Sequence, residues 1–262
     1  MTFLRVLWTE LLKLRRSRVT WLTFAAYTFM VAMAGFFMWI MMNPGAAERI
    51  GLLGQKATLS MGGQALDWLG FLTFIVEMGG IGGLILCSII VTYVFGREYA
   101  EGTAKNMLTL PISRSSFVVA KVTVSAAWFA SMTIWMIVET AIVGSLLGLP
   151  GSSTALFMGM VGKVFELALM SMCCAVLVAW VAVQTRGYFA PMGFSILTLV
   201  LASLFGHTGW GPWAPWSIVG ICSGAAGPGA ALGWGSYAVL AATLVLGISL
   251  TVRHEVAADN AQ

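Results

Sequence analysis

The chain has 262 residues, of which 59% are hydrophobic and only 9% charged, with a mean hydropathy of +0.91, against about 25% charged in soluble domains. A water-soluble fold of this composition would leave much apolar surface facing water, so the bilayer is the expected solvent. The net charge is +4, no nucleic-acid partner is expected, and Cys87, Cys173, Cys174 and Cys222 show no CxxC or Cys/His metal spacing and read as buried free thiols.

The chain opens on a basic, amphipathic segment, residues 1–18. Leu4, Leu7, Trp8, Leu11 and Leu14 recur at helical spacing, while Arg5, Glu10, Lys13 and Arg16 fall largely elsewhere. Such a helix lies in the membrane interface. Trp8 would sit at headgroup level, and Lys13, Arg15, Arg16 and Arg18 would meet anionic lipid. The plainer role is a topogenic anchor. An apolar run follows over 20–42. Ala32-Met33-Ala34 resembles a signal-cleavage site, but about 23 apolar residues exceed an h-region of roughly 7–15. The run is read as a first span that is retained.

Five further segments are long enough to cross a bilayer, which takes about 20 residues each. They lie at 70–95, 118–147, 156–184, 188–206 and 235–252. With the N-terminus inside, the inner segments hold Arg5, Lys13, Arg15, Arg16, Arg18, Arg97, Lys105, Arg114, Lys121, Arg186 and Arg253. The outer ones hold only Arg49, Lys56 and Lys163. That imbalance predicts an inner-membrane protein with both termini cytoplasmic. No 20–50-residue repeat and no inserted soluble domain is visible. The expectation is one all-α membrane domain over 1–262 with six transmembrane helices. In the second span, Gly79-Gly80-Ile81-Gly82-Gly83 gives a small-xxx-small pattern that serves either packing within the chain or contact between two copies.

Between the second and third spans lies a charged connection, Gly96 to Arg114. Glu101 and Lys105 are an i,i+4 pair in the favourable order. Ala100, Ala104, Met107 and Leu108 share a helical face. Pro111 ends the helix and pushes Leu110 out of α geometry, and Ser113 or Ser115 can cap the next span. The spacing predicts a compact helix within 97–114, able to transmit motion from a soluble partner; the alternative is a simple loop.

The run Glu98-Tyr99-x-x-Gly102-Thr103-x-Lys105-x-x-Leu108-x-x-Pro111-x-Ser113-Arg114, followed by Lys121, resembles the corresponding loop of type-2 ABC exporter permeases. The earlier run Glu10-Leu-Leu-Lys-Leu-Arg-Arg-Ser17 resembles the same superfamily, notably permeases of the bacitracin and lantibiotic-immunity kind. The resemblance implies that Glu98, Glu101, Gly102, Thr103, Lys105, Pro111, Ser113 and Arg114 belong to a coupling helix docked in a cleft of an ATPase. It implies that Leu4–Arg18 is an interfacial elbow. It further implies two cytoplasmic ABC ATPase subunits that bind ATP and Mg, a second permease copy or paralogue, and export of a lipid-like or amphipathic compound such as a peptide antibiotic or drug. No cofactor is expected in this chain.

The last outer connection, 207–234, carries Trp210, Trp213, Trp216 and Trp234 with three prolines and seven glycines. Tryptophans favour the membrane boundary. The apolar stretch 217–226 is too short to cross, but it can dip in and return where protein buries its backbone, and the resemblance implies such a re-entrant element. Serving only as an aromatic anchor is the plainer reading.

Four charges enter the apolar runs: Glu77, Glu139, Lys163 and Glu166. Counted at 1.5 Å per residue, they lie roughly 10–12 Å or more below the outer ends of their spans. They are expected to form one polar layer, with Lys163 paired to Glu139 across the hairpin, or to mark the outer interface if the spans begin later.

Several signals lead nowhere. Residues 59–64 resemble an ABC signature with an extra residue, on the outer side where no ATP is available. No GxxxxGK followed by Ser or Thr exists, since Gly162-Lys163 is followed by Val164, so ATP hydrolysis by the P-loop route is excluded. HExxH is absent. Ser195 and His207 lack a GxSxG context. The rivals to an exporter subunit are an ATP-independent secondary transporter using the carboxylates for protons, which inverted repeats would favour, and a membrane scaffold or sensor.

Overall fold

The computed structural model of the protein describes residues 3–43, 45, 49, 51, 65–103, 113–227 and 231–259. Among them the regular structure is helical, with no strand. Helix α1 (Phe3–Arg15) precedes six helices long and apolar enough to cross a membrane. These are α2 (Arg18–Met42), α3 (Trp68–Ala100), α4 (Arg114–Leu146), α5 (Thr154–Thr185), α6 (Phe189–Gly206) and α8 (Trp234–Asp259). Between α6 and α8 come a 3-10 turn, Gly211–Trp213, and the nine-residue α7 (Pro215–Ser223).

Polar side chains cap the starts of two of these helices. Ser17 leaves α geometry and its hydroxyl accepts from the Val19 N–H, separating α1 from α2. Asp67 accepts from the Gly70 N–H at 2.8 Å and starts α3, satisfying a donor that the helix itself cannot. Helices α3 and α4 reach 33 residues and α5 reaches 32. At 1.5 Å per residue that is about 50 Å, well beyond a hydrocarbon core of about 30 Å. These three must tilt or project, whereas α6, with 18 residues, is about 27 Å long.

The core lies along α3, α4 and α5. Ile75, Cys87, Ile90, Phe95, Met132, Met136, Ala179 and Ala182 are almost wholly enclosed there, joined by Tyr27 and Met38 of α2. Peripheral α6 buries only Pro191, Ser195 and Thr198 and turns its large side chains outward. The short α7 is the opposite case. Its Ile218 and Val219 have no exposure and pack with Leu84, Leu167, Met170 and Cys174. Its Trp216 ring meets Phe194 edge-on at 5.8 Å. Residues 207–234 thus hold a segment enclosed by other helices, while Trp210, Trp213 and Trp234 stay exposed.

The glycine run of α3 packs within the chain. A Cβ on Gly80 would lie 2.4 Å from Cβ of Ser223, so only glycine admits α7 at this height, and Gly83 faces Tyr27 and Phe129. Side-chain pairs between Lys13 and Glu98, Lys121 and Glu98, Tyr93 and Tyr188, and Tyr99 and Glu255 bring one end of the helices together. Arg15, Arg16, Arg18, Arg97, Arg114, Arg186 and Arg253 belong to the same end, hereafter the basic end.

Candidate functional site

The basic end encloses a charge network centred on Glu98, in the last turn of α3. One Glu98 oxygen accepts from Lys121 Nζ of α4 at 2.6 Å, and the other from Lys13 Nζ of α1 at 3.1 Å. Lys13 also donates to Glu10 at 2.5 Å. Lys121 donates to the Val94 carbonyl at 2.9 Å and sits over the Phe117 and Phe95 rings, 4.8 and 5.3 Å from their centroids. Glu10, Glu98 and Lys121 are 6%, 7% and 2% exposed. Charges so enclosed persist only when paired and hydrogen-bonded. Two carboxylates and two ammonium groups meet that condition with no net charge. Burial lowers the affinity of Lys13 for its proton, but Glu10 and then Glu98 more than offset this, and its pKa is raised from the ordinary lysine value.

A ring of polar aromatics extends the network to other helices. Ser17 donates to the Tyr93 hydroxyl at 2.8 Å. Arg97 donates to the same hydroxyl at 3.4 Å and lies 5.7 Å from that ring's centroid. Tyr93 stacks on Tyr188, which precedes α6, with 10° between the planes. Tyr99 donates to Glu255 of α8 at 2.9 Å. So α1 and five of the six crossings are tied within three turns of α3.

Of the helix expected within 97–114, the described residues cover 97–103 and 113–114. Arg97–Ala100 continue α3 without a break, because Glu98 is held by Lys13 and Lys121 from two sides. The helix stops at Glu101, where Gly102 takes φ +69°, a left-handed conformation that suits glycine. The Thr103 N–H returns to the Glu98 carbonyl at 2.9 Å, closing the end. Glu101 meets Arg97 at 3.4 Å; its predicted partner Lys105, together with Pro111, lies outside the described residues. Ser113 stands at the N-cap of α4 but makes no side-chain capping bond, its hydroxyl instead meeting that of Ser116 at 2.6 Å. Arg114 is the first residue of α4.

Among the predicted anchors, Trp8, Arg15, Arg16 and Arg18 are exposed. Lys13 is not free to face lipid, since its ammonium is engaged in the network. The helix face turned to the bundle carries Val6 and Glu10.

Of the four charges expected in one polar layer, Glu77, Glu139, Lys163 and Glu166, the expected pair between Lys163 and Glu139 is not formed. Lys163 donates to Glu166 at 3.0 Å, one turn along α5, and Glu166 also accepts from Tyr237 of α8 at 3.2 Å. Glu139 faces the other way, across α4, and accepts from Thr28 of α2 at 2.6 Å. Glu77 approaches the end of α7, where a Cβ on Gly224 would lie 3.6 Å from its carboxylate. Glu139 thus faces α2, while Lys163 and Glu166 pair along α5. The residues 59–64 that resemble an ABC signature lie outside the described residues.

Sequence reasoning passed over Glu10, Tyr93, Tyr99, Glu255, Thr28 and Tyr237 as partners. The Glu10–Lys13 spacing of three was the one available signal.

Six apolar crossings around a buried core, with cations gathered at one end, define a multi-pass α-helical membrane protein. The chain belongs to the ABC-2 family of transporter proteins, whose family model matches residues 6–203, from α1 through α6. It is similar to the bacitracin transport permease protein BCRB of Bacillus licheniformis, with 31% identity over 176 residues that cover 65% of this chain and 82% of that protein. Glu10, Lys13, Glu98 and Lys121 all fall within the matched stretch.

Proposed function

We propose that this chain is the membrane-spanning subunit of an ATP-driven exporter of the cytoplasmic membrane, with both termini in the cytoplasm, working with two ABC ATPase subunits and a second permease protomer. ATP and Mg would be bound by the ATPases. The observation that carries the reading is the Glu98 network, which joins α1, α3 and α4 at the basic end, one turn before α3 gives way to the connection toward α4. The Lys/Arg excess at that end supports a cytoplasmic placement. An ATPase docked on this connection would move α1 and α4 along with α3, because a buried ion pair resists being opened. The exposed apolar face of α1, Leu4, Trp8 and Leu11, suits the headgroup region, and Arg15, Arg16 and Arg18 suit anionic lipid. Enclosed α7 suits a re-entrant element. The similarity to a bacitracin permease favours an amphipathic compound as cargo.

The test is affinity capture of the tagged chain from its native membrane. An ABC ATPase is expected to co-purify, and to be lost on Glu101→Lys or Gly102→Pro. A secondary transporter or a scaffold would co-purify with no ATPase in either case.

A further inference from the structure

On the α1 side of Glu98 lies a small chamber of about 10 Å³, the room that one water molecule needs. Glu10 and Lys13 of α1 and Tyr93, Arg97 and Glu98 of α3 give it polar walls, and Val124 of α4 closes it; Lys121 does not line it. Three of the wall groups keep hydrogen-bonding capacity. Tyr93 accepts from Ser17 at 2.8 Å and from Arg97 at 3.4 Å, so its own O–H is a donor still to be placed. Arg97 carries a fork of N–H donors, and its polar contacts among the described residues are all long. They measure 3.4 Å to Tyr93, 3.4 Å to Glu101 and 3.5 Å to the Lys13 carbonyl, against about 2.7–3.2 Å for an ordinary N–H···O bond. Glu10, 6% exposed, meets Lys13 through Oε1, and a carboxylate offers lone pairs on both oxygens.

We propose that this chamber binds one water molecule, which accepts from the Tyr93 hydroxyl and from Arg97 and donates to Glu10. Buried water typically makes about three hydrogen bonds to groups that otherwise lack them, and long polar contacts are where bridging waters sit. The ligand is neutral because the walls are balanced. The carboxylates of Glu10 and Glu98 face the cations of Lys13 and Arg97, so a sodium or chloride ion would leave one sign of charge in excess in a largely enclosed place. The water carries Arg97 across to Glu10, where otherwise the guanidinium reaches α1 only at the Lys13 carbonyl. Helix α1 is thus held to α3 by two links of different kind, the direct Lys13–Glu98 pair at 3.1 Å and a water bridge. Helix α4 is held by the Lys121–Glu98 pair, which lies off the chamber. The site stands on the geometry of this joint, whatever partner docks beyond it.

The test uses the full chain in lipid nanodiscs and X-ray radiolysis, in which a bound water yields hydroxyl radicals that oxidise the side chains touching it, read by mass spectrometry. Val124 and Val118, both on α4, are 2% and 1% exposed, and of the two only Val124 is on the chamber wall. Oxidation at Val124 and none above background at Val118 is expected. Equal oxidation of the two, in a comparison that needs no variant, overturns the proposal. Val124→Ile adds a methylene to the wall and should displace the water, so oxidation at position 124 should be lost. Oxidation that persists there means the radicals arrive from bulk solvent, and it also overturns the proposal. If Val124→Ile does not fold, the wild-type comparison decides alone. A wild-type stability that rises with sodium or chloride, at an ionic strength held constant with a bulky salt, reassigns the chamber to an ion and overturns the assignment to water.

Discussion

Each half of the bundle holds a lysine–glutamate pair, and the two differ mainly in how much water they keep. At the basic end the Lys121 and Glu98 side chains are 3% and 9% exposed, with every polar atom engaged by helices far apart in sequence. In the other half Lys163 and Glu166 are 39% and 35% exposed and neighbours on one helix. Removing one partner of an enclosed pair leaves a stranded charge, whereas an exposed pair within a helix is a weak link. The first pair can make several helices move as one body. The second stiffens α5 and ties it loosely to α8 through Tyr237.

The comparison is tested most severely by Lys121→Met. It leaves Glu98 half-paired in an enclosed site, and the expected loss is about 3–5 kcal/mol, read as denaturant or thermal unfolding in detergent. The pair Glu98→Leu with Lys121→Met should recover much of that loss, because apolar side chains of similar volume replace an ion pair at little cost. A smaller effect is expected in the other half from Gly80→Val, whose side chain would collide with Ser223. Overpacking of this kind costs about 1–3 kcal/mol and should expose the α7 segment to protease. The smallest is Lys163→Ala, expected to stay within about 1 kcal/mol in the same unfolding assay. If Lys163→Ala destabilised the protein as much as Lys121→Met, the contrast between the two halves would be lost.

The sequence made the crossings legible because each is a long apolar run, and their cations already marked one end. At the connection after α3 the sequence does not show that Arg97–Ala100 stay in α3, because the two partners of Glu98 come from distant helices; Lys105 and the rest of the expected 97–114 helix up to residue 112 lie outside the described residues. The ionisable residues show the limit more sharply. Depth can be counted along a sequence, so Glu139 and Lys163 looked like partners. Facing cannot be counted the same way, and Glu139 meets Thr28 of α2 instead. Glu10 was hidden for a related reason: a glutamate three residues before a lysine resembles a surface pair, and only the packing of α1 against the bundle encloses it.

The proposed coupling route runs from the end of α3 through the Glu98 network into α1 and α4. Hydrogen exchange measured on the purified complex, with and without the co-purified ATPase subunit, tests it directly. In the wild type, docking should slow amide exchange in α1 and in the first turns of α4. In the Glu98→Leu/Lys121→Met chain, docking should remain while the slowing in α1 disappears. If α1 responded equally in both chains, the network would be a structural filler and the proposed coupling route would be wrong.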